Sequence, residues 1–364
     1  MTIIRSATVL LLLAVLSAAA QSAPRGTSWS FAVSGDSRNC GDVVMPPIAA
    51  AVRARGARFY WHLGDLRFIR DFDADYLQLH PHTTIAEYLA DAWFDFQRNQ
   101  IEPFGDLPFF LGIGNHEVLP PKTREEFLVT FADWLDAPMI RAQRLRDDPR
   151  DHRLRTYYHW SMEGIDFINL DNASVEQFDA AQLQWLRELL ARDGQSRDVR
   201  AVVVGMHEAL PGSFAQKHSM DDELIEQTTG REVYAQLLGL RASKPVYVLA
   251  SHSHFVMEGI FDTPYWRQHG GVLPGWIIGS AGAVRYALPA ELPQGKLART
   301  HVYGYLLATV QPRGANERDP IQFEFHEVDR AAVPPAVVGR FGESLVRQCY
   351  EENVQDWLPE RNAS

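Results

Sequence analysis

The chain has 364 residues, 46% of them hydrophobic, which is enough for one large core or a core with an appendage. Its 46 acidic and 35 basic residues give a net charge of −11, and no run of lysine or arginine appears. That excludes a broad nucleic-acid or anionic-membrane footprint, but not a small anionic substrate, because a bound metal's local charge outweighs the global field.

At the start, Arg5 precedes an apolar run over residues 7–16, and Ala18, Ala19 and Ala20 follow. This pattern predicts a secretory signal peptide over residues 1–20, cleaved before Gln21. The run is shorter than the ~20 apolar residues a membrane span takes, and no cysteine sits directly behind it to carry a lipid anchor. Removing 20 of 364 residues leaves 344, and because Arg5 is the only charge lost, −11 becomes −12. A periplasmic or secreted location is expected. In such an oxidising compartment Cys40 and Cys349 are expected to pair, tying the C-terminal segment to the loop after the first strand. The alternative is two free buried thiols.

Apolar runs at 29–34, 58–63, 108–113, 165–170, 201–205, 245–250, 255–261 and 275–278 read as strands, with two more at 302–310 and 321–328. Helical periodicity is clearest over 180–193, where Leu183, Leu186, Leu189 and Leu190 share a face. Thr27 and Asn172 read as turn or cap residues. Residues 66–105 form an insertion with a helix near 85–100. The polar stretch 136–155 reads as a surface loop. Residues 329–364 form a C-terminal extension: a Pro-Pro turn, then an amphipathic helix near 344–352. Helices alternating with strands, then hairpins, predict an α/β sandwich with mixed sheet over 27–328.

Five of these strands deliver a polar side chain just past the C-terminal end: Asp36, Asp65, Asn115 with His116 and Glu117, His207, and His252 with His254. That rim is where ligands bind in open α/β sheets. Gly35, Gly64 and Gly114, each just before such a group, are expected to let the backbone turn sharply and approach closely. Carboxylate, amide and imidazole with no thiolate suit hard to borderline metal ions.

The ordered series GD (35–36), GD (64–65), GNHE (114–117), MH (206–207) and SHSH (251–254) resembles the calcineurin-like metallophosphoesterase superfamily, purple acid phosphatases included. GYLLATV (304–310) resembles that family's late sheet strand, and the likeness extends over about 29–328. It implies a four-layer αββα sandwich with two mixed β-sheets, and two divalent or trivalent ions (Fe, Mn or Zn) at the C-terminal ends of the strands. Residue by residue, Asp65 would bridge the ions. Asn115, His207 and His252 would complete the second site, Asp36 and His254 the first, and His116 would serve as general acid. Ser251 stands where the family usually has glycine.

Two departures bear on the first site. Arg38 replaces the histidine of the family's D-x-H, and Phe68 replaces the tyrosine that purple acid phosphatases use, so no purple colour is expected. Three protein ligands then remain there, a workable number with water or phosphate. Arg38 suits a bidentate grip on a substrate phosphate, or an outward pairing with a surface carboxylate. His80, His82 and His218 lie in loops that could frame the site or simply be exposed.

The resemblance implies direct hydrolysis of a phosphoric ester by water activated between two cations. His116 would protonate the leaving oxygen, with Glu117 or a buried aspartate setting its tautomer. A small phosphomonoester is the expected substrate. A phosphodiesterase of the same superfamily is one alternative; a degenerate, non-catalytic phosphate- or metal-binding protein is another. A metallo-β-lactamase-type hydrolase is disfavoured, since Phe255 and Val256, not Asp-His, follow His254.

Overall fold

The computed structural model describes residues 26–174, 178–215 and 218–355. The signal peptide expected over 1–20 lies outside these. Among the described residues fourteen strands form: β1 (Trp29–Ser34), β2 (Tyr60–His62), β3 (Phe109–Leu111), β4 (Tyr158–Met162), β5 (Ile165–Asn169), β6 (Ala201–Gly205), β7 (Val246–Ala250), β8 (Val256–Glu258), β9 (Gly275–Ile278), β10 (Arg285–Tyr286), β11 (Ala298–Arg299), β12 (Gly304–Val310), β13 (Ile321–Glu327) and β14 (Val354–Gln355). One sheet has the order β13-β12-β1-β2-β3 and the other β11-β8-β9-β7-β6-β5-β4. In the first, β1, β2 and β3 are parallel out to one edge and β12 and β13 are antiparallel on the other side; in the second, a parallel centre is flanked by antiparallel strands, so both are mixed.

The sheets meet face to face through alternating side chains. Phe31 of β1 meets Phe167 of β5 edge-on at 5.0 Å, and Phe110 of β3 stacks on Trp160 of β4 at 3.9 Å. Along the second sheet, Phe167, Val203, Leu249 and Ile278 enter this inter-sheet core. Their neighbours Ile168, Val202, Val204, Val248 and Ile277 point the other way, under the helices Ala180–Gln195 and Leu224–Arg241. A period of two with both faces apolar is what a sheet covered on both sides requires. Each large side chain so buried is worth ~1.5–3 kcal/mol. On the far face of the first sheet lies the helix Gly41–Ala54, with Met45 Sδ accepting from Tyr60 Oη at 3.7 Å. The architecture is the four-layer αββα sandwich expected.

Several elements differ from the sequence reading. β2, β3 and β8 are shorter than their apolar runs; past β3 the chain leaves the sheet to turn into the rim. The supposed loop at 136–155 contains a helix, Pro138–Asp147. Its inward face is only Ile140 and Gln143, one turn apart, and the arginines around them conceal the periodicity. In the insertion, the helix Ile85–Phe96 opens on a Thr84–Glu87 capping box and runs into a π-turn, Gln97–Ile101. The C-terminal extension folds as Pro335–Phe341, Glu343–Arg347 and a π-turn Gln348–Glu352.

Cys40 and Cys349 are joined by a disulfide, with their Cα atoms 5.8 Å apart. β14 pairs with β10, and Asn353 Oδ1 accepts from Asn39 Nδ2 at 2.7 Å. The extension therefore fastens two segments at the rim, the loop after β1 and the strand carrying Tyr286. Among the described residues, no helix is long and apolar enough to cross a membrane.

Candidate metal centre

The parallel strands β1, β2, β3, β6 and β7 end at one rim, where Asp36, Asp65, Asn115, His207 and His252 come together. Three of the five groups sit on left-handed backbone: Asp36 at φ 61°, Asp65 at φ 60° and His252 at φ 61°. For a residue with a Cβ this costs about 1–2 kcal/mol each, and it persists where the surroundings dictate the geometry. Of the glycines expected to allow sharp turns and close approach, only Gly64, at φ 96°, is left-handed. Gly35 and Gly114 serve the close approach. A Cβ at 35 would lie 2.6 Å from Ser251 Oγ, and one at 114 would lie 2.3 Å from the Asp65 nitrogen.

His207 is the centre of one group. Its Nε2 lies 3.3 Å from Asp65 Oδ1, 3.1 Å from Asn115 Oδ1 and 3.1 Å from His252 Nδ1. Its Nδ1 faces the Leu63 carbonyl at 3.0 Å, which fixes the ring and presents the Nε2 lone pair to the site. Four nitrogen and oxygen atoms of metal-ligating type thus crowd one point. Their chemistry fits a cation, and the ligating atoms of Asp65, His207 and His252 all lie within 4.8 Å of one another.

Asp36, Asp65 and His254 form a second group within the same 4.8 Å limit, with Asp65 common to both. His254 donates from Nδ1 to the Val284 carbonyl at 2.6 Å, and its Nε2 lies 3.3 Å from Asp36 Oδ1. Asp36 Oδ1 and Asp65 Oδ2 are buried without a hydrogen bond, as carboxylates awaiting a positive charge would be. Here, however, the Arg38 guanidinium enters the same space, against Asp65 Oδ2 and His254 Nε2. It is buried, so the outward surface pairing is not adopted. The fit to an ion is therefore good in the His207 group and poor in the His254 group.

Electrostatics agree with neutral imidazoles at His252 and His254. Burial, reinforced by their neighbours His207 and Arg38 respectively, holds His252 and His254 well below the ordinary histidine range. Burial pushes Asp36 up to about 7, with His207 opposing and the Asp65 charge adding. Asp65 is also buried, yet His207, His116 and Arg38 together keep it well below the usual carboxylate range.

His116 turns its Nε2 toward the site, 3.9 Å from Asp65 Oδ2. Its Nδ1 bonds to the Phe68 carbonyl, and its ring stacks on the Phe68 ring at 5.4 Å. The tautomer is thus set by a backbone oxygen, not by Glu117. Glu117 instead accepts from the backbone nitrogens of Asp65, Leu66 and Gly114.

Of the loop histidines, His218 borders the site, its ring 5.3 Å from His252 and 5.1 Å from Tyr286. His80 and His82 are exposed. Asn172, read as a turn residue, accepts from the His207 and Glu208 amides at 3.2 and 3.1 Å and so holds the loop after β6. Tyr286 was not singled out in the sequence. Its ring stacks on His254 at 4.1 Å and its hydroxyl accepts from Arg38 Nη2 at 3.5 Å. Nothing in the short RY strand signals this, since its partner lies 248 residues away.

No family model matches this chain, and no curated protein matches it. Among solved structures, a purple acid phosphatase isolated from yellow lupin (Lupinus luteus) seeds matches with a TM-score of 0.54 at 16% identity, over 83% of this chain and 52% of that one. A PhoD structure matches at 0.48 with 16% identity, over 79% of this chain and 65% of that chain. A dimetal phosphatase from Danio rerio matches at 0.48 with 12% identity, over 82% and 99% respectively. This chain spans about half the length of the lupin protein. The likeness is one of fold: the αββα sandwich implied by the resemblance to calcineurin-like metallophosphoesterases is the one shared with the lupin enzyme.

Proposed function

We propose that the protein is a metal-dependent phosphoric ester hydrolase. The observation that carries this reading is the convergence of Asp65, Asn115, His207 and His252 from four strand ends of two sheets onto one point. The shared fold supports it. The nitrogen and oxygen donor set, without thiolate, suits Fe, Mn or Zn.

A cation held by these four residues would supply positive charge for the phosphoryl oxygens and acidify a water for attack on phosphorus. The chain does the positioning. The Leu63 carbonyl orients His207, and the Asn172 amide oxygen pins the backbone behind it. Arg38 offers guanidinium N–H groups to a phosphoryl oxygen. His116 Nε2 faces the same space and would move a proton at the leaving oxygen.

Asp36, Arg38, Asp65 and His116 are all buried, and only Asn115, His252 and His218 are partly open at the rim. Groups buried this way favour the terminal group of a small phosphomonoester over the doubly substituted phosphorus of a diester. Export from the cytoplasm, read from residues 1–20, is supported by the Cys40–Cys349 disulfide, since such bonds persist in oxidising compartments.

The test is hydrolysis of a chromogenic phosphomonoester and its matching diester, before and after chelation and after restoring Fe, Mn or Zn. Faster turnover of the monoester, lost on chelation and regained with metal, is expected. Faster turnover of the diester would replace the monoesterase reading with a phosphodiesterase. No turnover of either under any of the three metals would leave the non-catalytic alternative.

A further inference from the structure

The three groups that the resemblance assigns to a first metal ion already face a cation. Arg38 Nη2 lies 3.2 Å from His254 Nε2, and Arg38 Nε lies 3.4 Å from Asp65 Oδ2. Asp36 Oδ1 is 3.3 Å from that same His254 nitrogen. An ion bound to all three groups would share their small space with the guanidinium. Like charges in a buried, low-dielectric site repel strongly, and a guanidinium cannot shed its proton to relieve this.

Nor is Arg38 free to swing away. Its Cζ lies 5.1 Å over the Phe68 ring, so the residue that lacks the metal-binding hydroxyl instead forms one wall of the guanidinium's pocket. Tyr286 Oη accepts from it on another side. Behind it, Asn39 is bonded through its amide to Asp73 and through its side chain to Asn353, and Cys40 is tied to Cys349. The two departures from the family pattern, Arg38 and Phe68, are thus in contact and form one arrangement.

We infer that Arg38 is the second cation of this centre: the protein binds one metal ion, at Asp65, Asn115, His207 and His252, and the Arg38 guanidinium stands among Asp36, Asp65 and His254 in place of another. This deepens the hydrolase reading and rests on it. It also gives Arg38 a double part. The guanidinium balances the two buried carboxylates, and its N–H groups bind a phosphoryl oxygen opposite the ion.

Elemental analysis of the full chain tests this, both as purified and after incubation with excess Zn²⁺ or Mn²⁺ followed by gel filtration. One ion per chain is expected, lost in His207→Ala and retained in His254→Ala. Arg38→His, which removes the charge and adds an imidazole, is expected to raise the count to two. Two ions in the unaltered protein would overturn the inference and leave the hydrolase reading standing. No ion under either condition would overturn both. Loss of the ion in His254→Ala with retention in His207→Ala would overturn the placement. A folded Arg38→His still holding one ion would overturn Arg38 as the excluding charge. If that variant does not fold, the two histidine variants still decide where the ion sits.

Discussion

Glu117 holds Asp65 by its backbone: one carboxylate oxygen accepts the Asp65 amide at 2.9 Å and the Gly114 amide at 2.8 Å, and the other accepts the Leu66 amide at 2.9 Å. The turns after β2 and β3 are thereby strapped to one buried side chain. Burial, with the nearby Asp65 charge, raises the Glu117 carboxyl well above its ordinary range, which its three amide donors oppose. Glu117→Gln points an amide NH₂ at a backbone N–H and leaves at least one buried donor unpaired. The expected cost is ~1–3 kcal/mol, read from the urea midpoint. Because Asp65 would lose its fixed position, metal affinity should also fall by roughly 10–100-fold. If neither quantity moved, other contacts must hold these turns.

His159 on β4 makes a second prediction, away from the rim. It is buried between Asp166, 3.0 Å from Nδ1, and Asp147, the last residue of the helix Pro138–Asp147. Burial opposes its charge, but Asp166 and Asp147 outweigh burial and push it up to about 9. A raised histidine contributes stability that is full below its unfolded value near 6.5 and lost as pH rises through its folded value. Asp193, pushed up to about 8 by burial and the Asp166 charge, acts with the same sign. Stability should therefore decline by about 4 kcal/mol from pH 6.5 to 9. His159→Gln should lower stability at pH 6 and flatten that slope. A wild-type melting temperature that rises over this range would contradict the pairing.

How much of this was legible beforehand depended on distance along the chain. The strand ends were readable because each is local: an apolar run, a small residue and one polar side chain. Asp36, Asp65, Asn115, His207, His252 and His254 accordingly meet as the order of motifs suggested. What could not be read depends on contacts between remote segments. Glu117 straps a turn 51–52 residues away, and Tyr286 meets Arg38 across 248 residues. The helix over 138–147 escaped for another reason, since only Ile140 and Gln143 are buried in it. The position of Arg38 was the most consequential gap. Its absence as a ligand was plain in GDSRN, but its insertion among the carboxylates requires Phe68, Tyr286 and the tethered C-terminal extension together.

His116 gives the last prediction, and its protonation decides it. Its Nδ1 is committed to the Phe68 carbonyl, so only Nε2 can serve a substrate. Burial and the Arg38 charge push its pKa down to about 3, so at neutral pH the ring is neutral and Nε2 carries a lone pair, not a proton. To act as general acid it must gain a proton, and the negative charge of a bound phosphate is what would raise its pKa enough. His116→Ala should then lower kcat by ~10²–10⁴ on an alkyl phosphate, whose leaving oxygen needs a proton. The loss should be much smaller on a nitrophenyl phosphate, whose leaving group departs as a stable anion. Measuring both ratios on the same preparation separates two roles. Equal losses would mean that His116 stabilises the phosphoryl group and that the leaving oxygen takes its proton from solvent.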